Sequence, residues 1–102
     1  MVFTLVVHLY AKEGAEVEQK LRTKLTECSR VYSKDKETIS WVVLQDDKDP
    51  RAWCLVERYV RQSSLKEHAE NPYFKTFAPD VGPLLEKPIE ELNIQMFNEI
   101  DT

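Results

Sequence analysis

The first strand of this chain constrains its fold most, because apolar residues fall on both of its faces. Residues 2–11 (VFTLVVHLYA) are rich in β-branched and aromatic side chains, a composition typical of a β-strand. Alternate positions place one apolar set on one face: Phe3, Leu5, Val7 and Leu9. Val6 and Tyr10 belong to the other face. Such a strand is usually buried on both sides, so each face of its sheet needs a cover.

The next elements follow from periodicity and turn residues. Gly14 precedes a predicted amphipathic helix over Ala15–Tyr32, whose apolar positions recur every three or four residues. Two strands, over Thr38–Gln45 and 52–60, flank the turn cluster at 46–50 (DDKDP). The third strand repeats the apolar character of the first on both faces.

The last third of the chain predicts a broken helix and a final strand. Ser64 and Glu67 match a capping box, which places the N-cap of a second helix at Ser64. Pro72 interrupts this helix, and a short helix resumes over 73–77 and ends near Pro79. We expect a loop or turn over 81–87 and a last strand over 89–97.

This order of elements predicts an α+β, ferredoxin-like split βαβ fold (βαββαβ). Its four-stranded antiparallel sheet carries both helices on one face, and the first and third strands are central. With 102 residues, the whole chain 1–102 is expected to form a single domain. The second apolar face is too costly to leave in water. We therefore expect a homodimer whose two sheets face each other and enclose a cavity.

Composition and missing motifs exclude several functions. The formal net charge is −4 and the basic residues are scattered, so binding to nucleic acid is not expected. No apolar run reaches the length of a membrane helix, and residues 1–10 lack the basic start of a signal peptide. Cys28 and Cys54 have neither CxxC spacing nor a histidine cluster, which indicates unpaired thiols in the cytoplasm and no metal site. P-loop, GxGxxG, nucleophile-elbow and HExxH motifs are absent.

Three polar residues on apolar elements are candidates for chemistry. Glu57 shares its strand face with Trp53, Leu55 and Tyr59, so it needs a partner or a wet cavity. Its candidate partners are His8 on the first strand, His68, and Arg58 of a partner subunit. His68, on the short second helix, is either a general base or a structural link between that helix and the loop. The aromatic residues could form a surface for a flat ligand or simply core: Trp41, Trp53, Tyr59, Tyr73, Phe74 and Phe77.

Residues 52–77 (AWCLVERYVRQSSLKEHAENPYFKTF) resemble the antibiotic biosynthesis monooxygenase (ABM) domain. That family carries E-x-[YW] on its third strand, here Glu57 and Tyr59, followed by L-x-x-H, here Leu65 and His68, and then an aromatic-rich helix. The resemblance implies a dimeric α+β barrel. It also implies oxygenation of quinols or anthrones without a cofactor in some members, whereas others degrade haem, isomerise small metabolites or have no demonstrated activity.

This sequence departs from the family pattern at three places. Some oxygen-using members have an asparagine on the first strand, where this chain offers His8 as the comparable polar group. The glycine that commonly precedes the second strand is replaced by the charged run 34–37 (KDKE). Tyr73 stands where some bacterial members have a second histidine.

The residues and the resemblance together lead to two hypotheses. In the first, the chain is a monooxygenase that needs no metal or cofactor and binds a small aromatic between Trp41, Trp53 and Tyr59. His68 is then the base and Glu57 the second catalytic group. The predicted substrate-binding residues are His8, Trp41, Trp53, Tyr59, Tyr73 and Phe74. In the second hypothesis, the same cavity serves a non-catalytic dimeric metabolite-binding or stress-response module. Haem binding through His68 or His8 is a third, weaker alternative.

Overall fold

The computed structural model describes residues 1–100. It contains four strands: β1 (Phe3–Tyr10), β2 (Thr38–Gln45), β3 (Ala52–Tyr59) and β4 (Asn93–Asn98). Its three α-helices are α1 (Ala15–Tyr32), α2 (Ser64–Glu70) and α3 (Phe77–Val81). Short 3₁₀ turns span Pro72–Thr76, Gly82–Leu84 and Ile89–Glu91. No helix in this part of the chain is both long enough and apolar enough to cross a membrane.

The sheet confirms the ferredoxin-like prediction. All neighbouring strands pair antiparallel in the order β2-β3-β1-β4, so the first and third strands are central. Glu57 lies opposite Leu5 on one side and opposite Trp41 on the other. Because directly paired residues of a sheet point to the same face, these three side chains share a face. That face is the one the helices cover, since Leu5, Trp41 and Glu57 are all buried.

Helix α1 packs on this face with the apolar stripe that its sequence predicts. Leu21, Leu25, Cys28 and Tyr32 are buried along it. Gly14 precedes the helix with φ at +121°, a backbone conformation that side-chain-bearing residues rarely adopt. The chain can therefore turn from β1 into α1 over the short connection 11–14.

Two boundaries differ from the sequence prediction. The capping box does not form: α2 begins at Ser64 itself, and the Ser64 hydroxyl donates instead to Glu37 Oε1 at 2.6 Å. Ser64 is thus the first helical residue, and Ser63 at the N-cap makes no side-chain capping bond. Pro79 lies inside α3 rather than at its end, in the first turn where no backbone N–H is required.

The last strand is also shorter than predicted. Residues Ile89–Glu91 form a 3₁₀ turn after Pro88, and β4 begins only at Asn93. The apolar alternation of Leu92, Ile94 and Met96 begins before the first residue of the strand, so it did not mark the strand's start.

The second face of the sheet carries no helix in residues 1–100. It is formed by the opposite parity of each strand, and its apolar part comprises Val6, Val42, Leu44, Val56 and Phe97. We call this set the open face. Leu44 and Phe97 are 46% and 47% exposed, and Val6 and Val56 are half-buried. The prediction that both faces of β1 and β3 are apolar is thus confirmed in one chain.

Candidate functional site

A cavity of about 400 Å³ lies between the helix-covered face of the sheet and the segment that follows β3. Its floor is formed by side chains of the sheet, among them Leu5, Val7, Trp41, Leu55 and Glu57. Its opposite wall comes from α2, the 3₁₀ turn after it, and α3: Leu65, His68, Phe74 and Phe77. The lining is almost wholly apolar, and the residues named here include no cationic side chain. A cavity of this size and character suits a small, flat organic molecule.

This cavity is not the one that the sequence predicts, which stays a prediction about the dimer. The sequence predicts a cavity between the sheets of two subunits, whereas Trp41 and Glu57 face the helices of their own chain. The reason is packing: the strand face with the larger aromatic and aliphatic side chains is the one that buries most area against α1. Glu57 belongs to that face because it alternates in register with Leu55 and Tyr59.

Glu57 is the buried acid of this site. It is 4% exposed and accepts a hydrogen bond of 2.5 Å from the Tyr59 hydroxyl. Burial raises the pKa of Glu57, and the Tyr59 hydrogen bond partly offsets that rise. The Trp41 N–H lies close enough to lower this pKa as well, although its geometry falls short of a hydrogen bond. The carboxylate is therefore held in an apolar wall by one strong donor.

His68 faces Glu57 from α2. Its Nε2 lies 3.9 Å from Glu57 Oε1, and its ring is enclosed by aromatic rings. The ring centroids of Tyr32, Tyr59 and Phe74 lie 4.3, 5.4 and 5.4 Å from that of the imidazole. Burial lowers the pKa of His68 and the charge of Asp35 partly restores it. The imidazole is thus favoured in its neutral form, which is the form that can accept a proton.

The structure selects one of the three candidate partners of Glu57. His68 is the histidine beside it, whereas His8 pairs with Cys54 on the opposite face of the sheet. Arg58 also belongs to the opposite face, where its guanidinium binds Glu99 at 2.7 and 3.0 Å. The hydrogen bond from Tyr59 was missed, although a tyrosine two positions along the same strand lies on the same face as the acid.

Four of the predicted site residues line the cavity, and the others do not. Trp41, Glu57, His68 and Phe74 line it, and Tyr59 adjoins it through Glu57. Tyr73 lies behind the wall, where its hydroxyl donates to Glu27 and its ring packs edge-on against Tyr32 at 5.4 Å.

The remaining two predicted binding residues lie away from the cavity. Trp53 is buried near the end of the sheet, and the Arg22 guanidinium lies 5.3 Å from its ring. His8 is exposed on the same side as the open face, with Nε2 3.3 Å from Gln95 Oε1. A role for either in binding a ligand inside the cavity is therefore not supported by its position.

Tyr32 lines the cavity and was not predicted as a site residue. It continues the apolar stripe of α1, so its position in the sequence indicates core packing only. Its hydroxyl is buried and has no hydrogen-bond partner among the described residues, and burial raises its pKa. Across residues 1–100, no three His, Cys, Asp or Glu side chains gather as a metal-binding group.

Comparison with known proteins bears on this site as a whole. The family model described as antibiotic biosynthesis monooxygenase matches residues 2–80. No curated protein matches the chain. Among solved structures, Rv0793 from Mycobacterium tuberculosis is 18% identical with a TM-score of 0.84, covering 100% of this chain and 98% of its own.

Two further structures have the same fold. PA3566 from Pseudomonas aeruginosa is 17% identical with a TM-score of 0.84, covering 98% of this chain and 95% of its own. A protein described as an antibiotic biosynthesis monooxygenase is 12% identical with a TM-score of 0.83, covering 97% of this chain and 99% of its own. At these identities the likeness establishes the shared fold.

Proposed function

The chain belongs to the antibiotic biosynthesis monooxygenase family, and on that premise we propose that it oxygenates a small, neutral aromatic substrate without a bound cofactor. Family membership supports a monooxygenase-like activity in general. The substrate class is argued from the cavity, whose volume of about 400 Å³ suits a molecule of the quinol or anthrone type.

The observation that carries the proposal is a buried imidazole beside a buried carboxyl group in an apolar cavity. His68 takes the proton of a substrate hydroxyl, and Glu57, with its Oε1 3.9 Å away, stabilises the resulting imidazolium. The surrounding rings exclude water, which keeps the substrate anion poorly solvated and electron-rich.

The reaction balances for a hydroxyarene that is the enol of a ketone, as in an anthrone. After loss of its proton to His68, the anion gives one electron to O₂, and the two radicals join through a C–O bond. The imidazolium returns its proton to the peroxide. Loss of water then leaves a new carbonyl group. One oxygen atom of O₂ ends in the product and the other in water.

The charge of the cavity wall limits the range of expected substrates further. The sheet and helix residues named above as lining bring no positive charge, and Glu57 is an acid. A carboxylate or phosphate in this cavity would be desolvated without a counter-ion, which is costly. Neutral phenols are therefore expected to bind, and their carboxylated analogues are not.

Oxygen uptake tests the proposed activity. The purified protein is incubated with a panel of hydroquinones and anthrones while dissolved O₂ is recorded. His68→Ala is expected to lower the rate by about 10²- to 10⁴-fold, the usual contribution of a general base. His8→Ala is the matched control, because His8 lies on the other face of the sheet. Uptake that survives His68→Ala removes the proposed base.

The same panel separates the second function, a non-catalytic metabolite-binding module. If a panel member raises the melting temperature of the protein increasingly with its concentration but is not consumed, the binding module is supported instead. Haem binding is tested in parallel by titration, where a Soret shift lost in His68→Ala would support it.

We also propose that the protein is a homodimer, with a second copy covering the open face. Val42, Leu44 and Phe97 leave an apolar surface there that monomers rarely expose, and a two-fold axis lets the same patch cover itself. Sedimentation at micromolar concentration is expected to give twice the 12.0 kDa chain mass. Val42→Glu is expected to give the single-chain mass, and a wild-type species of 12.0 kDa would refute the dimer.

We place this activity in the cytoplasm. Cys28 and Cys54 are both free thiols, and reducing compartments keep thiols in that state. Burial raises the pKa of Cys28 to about 11, so this thiol is held in its unreactive protonated form.

A further inference from the structure

The helix that carries His68 is held at both ends by one loop. At the start of α2, the Ser64 hydroxyl donates to Glu37 Oε1 at 2.6 Å. At its end, Asn71 Nδ2 donates to Asp35 Oδ1 at 2.9 Å. Both acceptors lie on the short connection between α1 and β2. This connection therefore fixes the position of α2, and with it the position of the imidazole.

Asp35 has a second carboxylate oxygen that these contacts leave unused. Asp35 Oδ2 is buried and has no hydrogen-bond partner among residues 1–100. Nδ1 of His68 is likewise buried and has no hydrogen-bond partner among these residues. Buried polar atoms are rarely left unpaired, and each one needs an explanation. The two atoms, one an acceptor and the other able to donate, do not bond to each other in this structure, and one water molecule between them would satisfy both.

Asn71 links Asp35 to the end of the helix that carries His68. The backbone N–H of Asn71 lies 3.3 Å from the His68 carbonyl oxygen, while its side chain binds Asp35. Nε2 of His68 points toward Glu57. Because the two nitrogens lie on different sides of the ring, Nδ1 is directed away from Glu57, and the α1–β2 connection with Asp35 lies beyond the end of α2.

The charges around the imidazole fit this arrangement. The titratable groups facing it are Glu57 and Tyr59 from β3, Tyr32 from α1 and Asp35 from the connection. Burial raises the pKa of both tyrosines, so they stay neutral. Asp35 is the one whose charge raises the pKa of His68 against the effect of burial.

We propose that Asp35 is the positioning residue of His68: its free oxygen accepts the Nδ1 proton through one bridging water. This fixes the neutral imidazole as the Nδ1–H tautomer and leaves the Nε2 lone pair on the Glu57 side, where the substrate hydroxyl is expected. The same logic orients the base in acid–histidine pairs of other enzymes. The catalytic meaning of this contact rests on the proposed function, whereas the contact itself does not.

The tautomer can be measured without any substrate. The chain has two histidines, so ¹⁵N-detected imidazole spectra of wild type and His8→Gln assign His68 directly. The neutral ring is expected as the Nδ1–H tautomer. A neutral Nε2–H tautomer would overturn the proposal, and this measurement requires no change at Asp35.

Asp35→Asn and Glu37→Gln form a matched pair. Each keeps a carbonyl oxygen that can accept the hydrogen bond holding α2, but only Asp35→Asn removes the charge beside Nδ1. Asp35→Asn is expected to move the His68 titration to lower pH, and to slow turnover of an active substrate by on the order of ten-fold. Glu37→Gln is expected to leave the titration in place. An unchanged titration in Asp35→Asn, or equal shifts in both variants, refutes the positioning role.

These measurements distinguish failure of the Asp35 contact from failure of the proposed oxygenase activity. If the protein consumes no panel member, but His68 is the Nδ1–H tautomer and its titration depends on Asp35, the contact is supported and the oxygenase proposal fails. If the protein consumes substrate through His68 but the His68 titration does not depend on Asp35, the activity is supported and the contact is refuted.

Discussion

Replacing Glu57 by glutamine is expected to stabilise the fold while abolishing the proposed activity. Glu57 is buried in an apolar wall, and burial raises its pKa above the ordinary 4.5. The folded state therefore holds the proton more tightly than the unfolded state. Folding is most favourable below the ordinary pKa and loses free energy as pH rises toward the raised value. A glutamine is neutral at every pH and escapes this loss.

The magnitude follows from the same linkage. Each unit by which the pKa is raised costs about 1.4 kcal/mol of stability once the carboxylate is ionised. Replacing a buried ion pair by neutral residues of similar volume is neutral or stabilises proteins by about 1 to 4 kcal/mol, and we expect the gain at this single buried acid to lie within that range. The glutamine amide also retains an oxygen for the Tyr59 hydroxyl, which donates to Glu57 at 2.5 Å in wild type. For a domain of this size, about 1 kcal/mol shifts the melting temperature by roughly 4 to 8 °C.

Urea unfolding followed by tryptophan fluorescence, from about pH 4 to about pH 8, measures this difference. Both proteins are compared at one concentration, since dimer formation adds stability with concentration. The advantage of Glu57→Gln is expected to be near zero at the acid end and to grow as pH rises. A variant that is less stable than wild type at neutral pH, or an advantage that does not change with pH, would refute the reasoning about the buried acid.

Three further changes test the packing and charges around the site. Leu25→Ala removes a fully buried side chain of α1 and should lower the free energy of unfolding by about 2 to 5 kcal/mol in the same assay. Lys24 binds Asp80 at 2.9 Å, so Lys24→Met should cost about 1 kcal/mol and speed amide hydrogen exchange over 72–81. Arg58 lowers the pKa of Glu99 to about 2, which gives stability above the ordinary pKa of 4.5 that is lost as pH falls toward 2; Glu99→Gln should therefore flatten the acid side of the stability curve.

The order and spacing of elements could be predicted because each rests on a local pattern. The bounds of α1 and β2 match the prediction to the residue, since a helical stripe begins after Gly14 and a β-branched run follows a polar segment. The predicted start of β4 was wrong, because the backbone forms a 3₁₀ turn after Pro88. The spacing of the apolar side chains does not indicate that turn.

The sequence predicts which residues share a strand face but not which face the helices cover. Parity showed that Glu57 shares a face with Leu55 and Tyr59, yet parity does not say which face the helices cover. That choice depends on the total area each face buries, which is a property of the whole sheet. Asp35 was overlooked for a related reason: it lies in a polar segment, and only the path of the chain after α2 brings Asn71 to it.

The sequence prediction makes the binding cavity part of the dimer interface, whereas the cavity described here lies on the other face of the sheet. Because successive side chains of a strand point to opposite faces, Val42 belongs to the open face while its neighbour Trp41 lines the cavity. The cavity named here is lined by one chain, so a dimer carries two such sites rather than one shared site. Loss of the dimer therefore need not disturb the pair of Glu57 and His68. A monomeric Val42→Glu protein that remains folded should keep the same activity per chain, whereas an activity that falls with the dimer would show that the site depends on the open face after all.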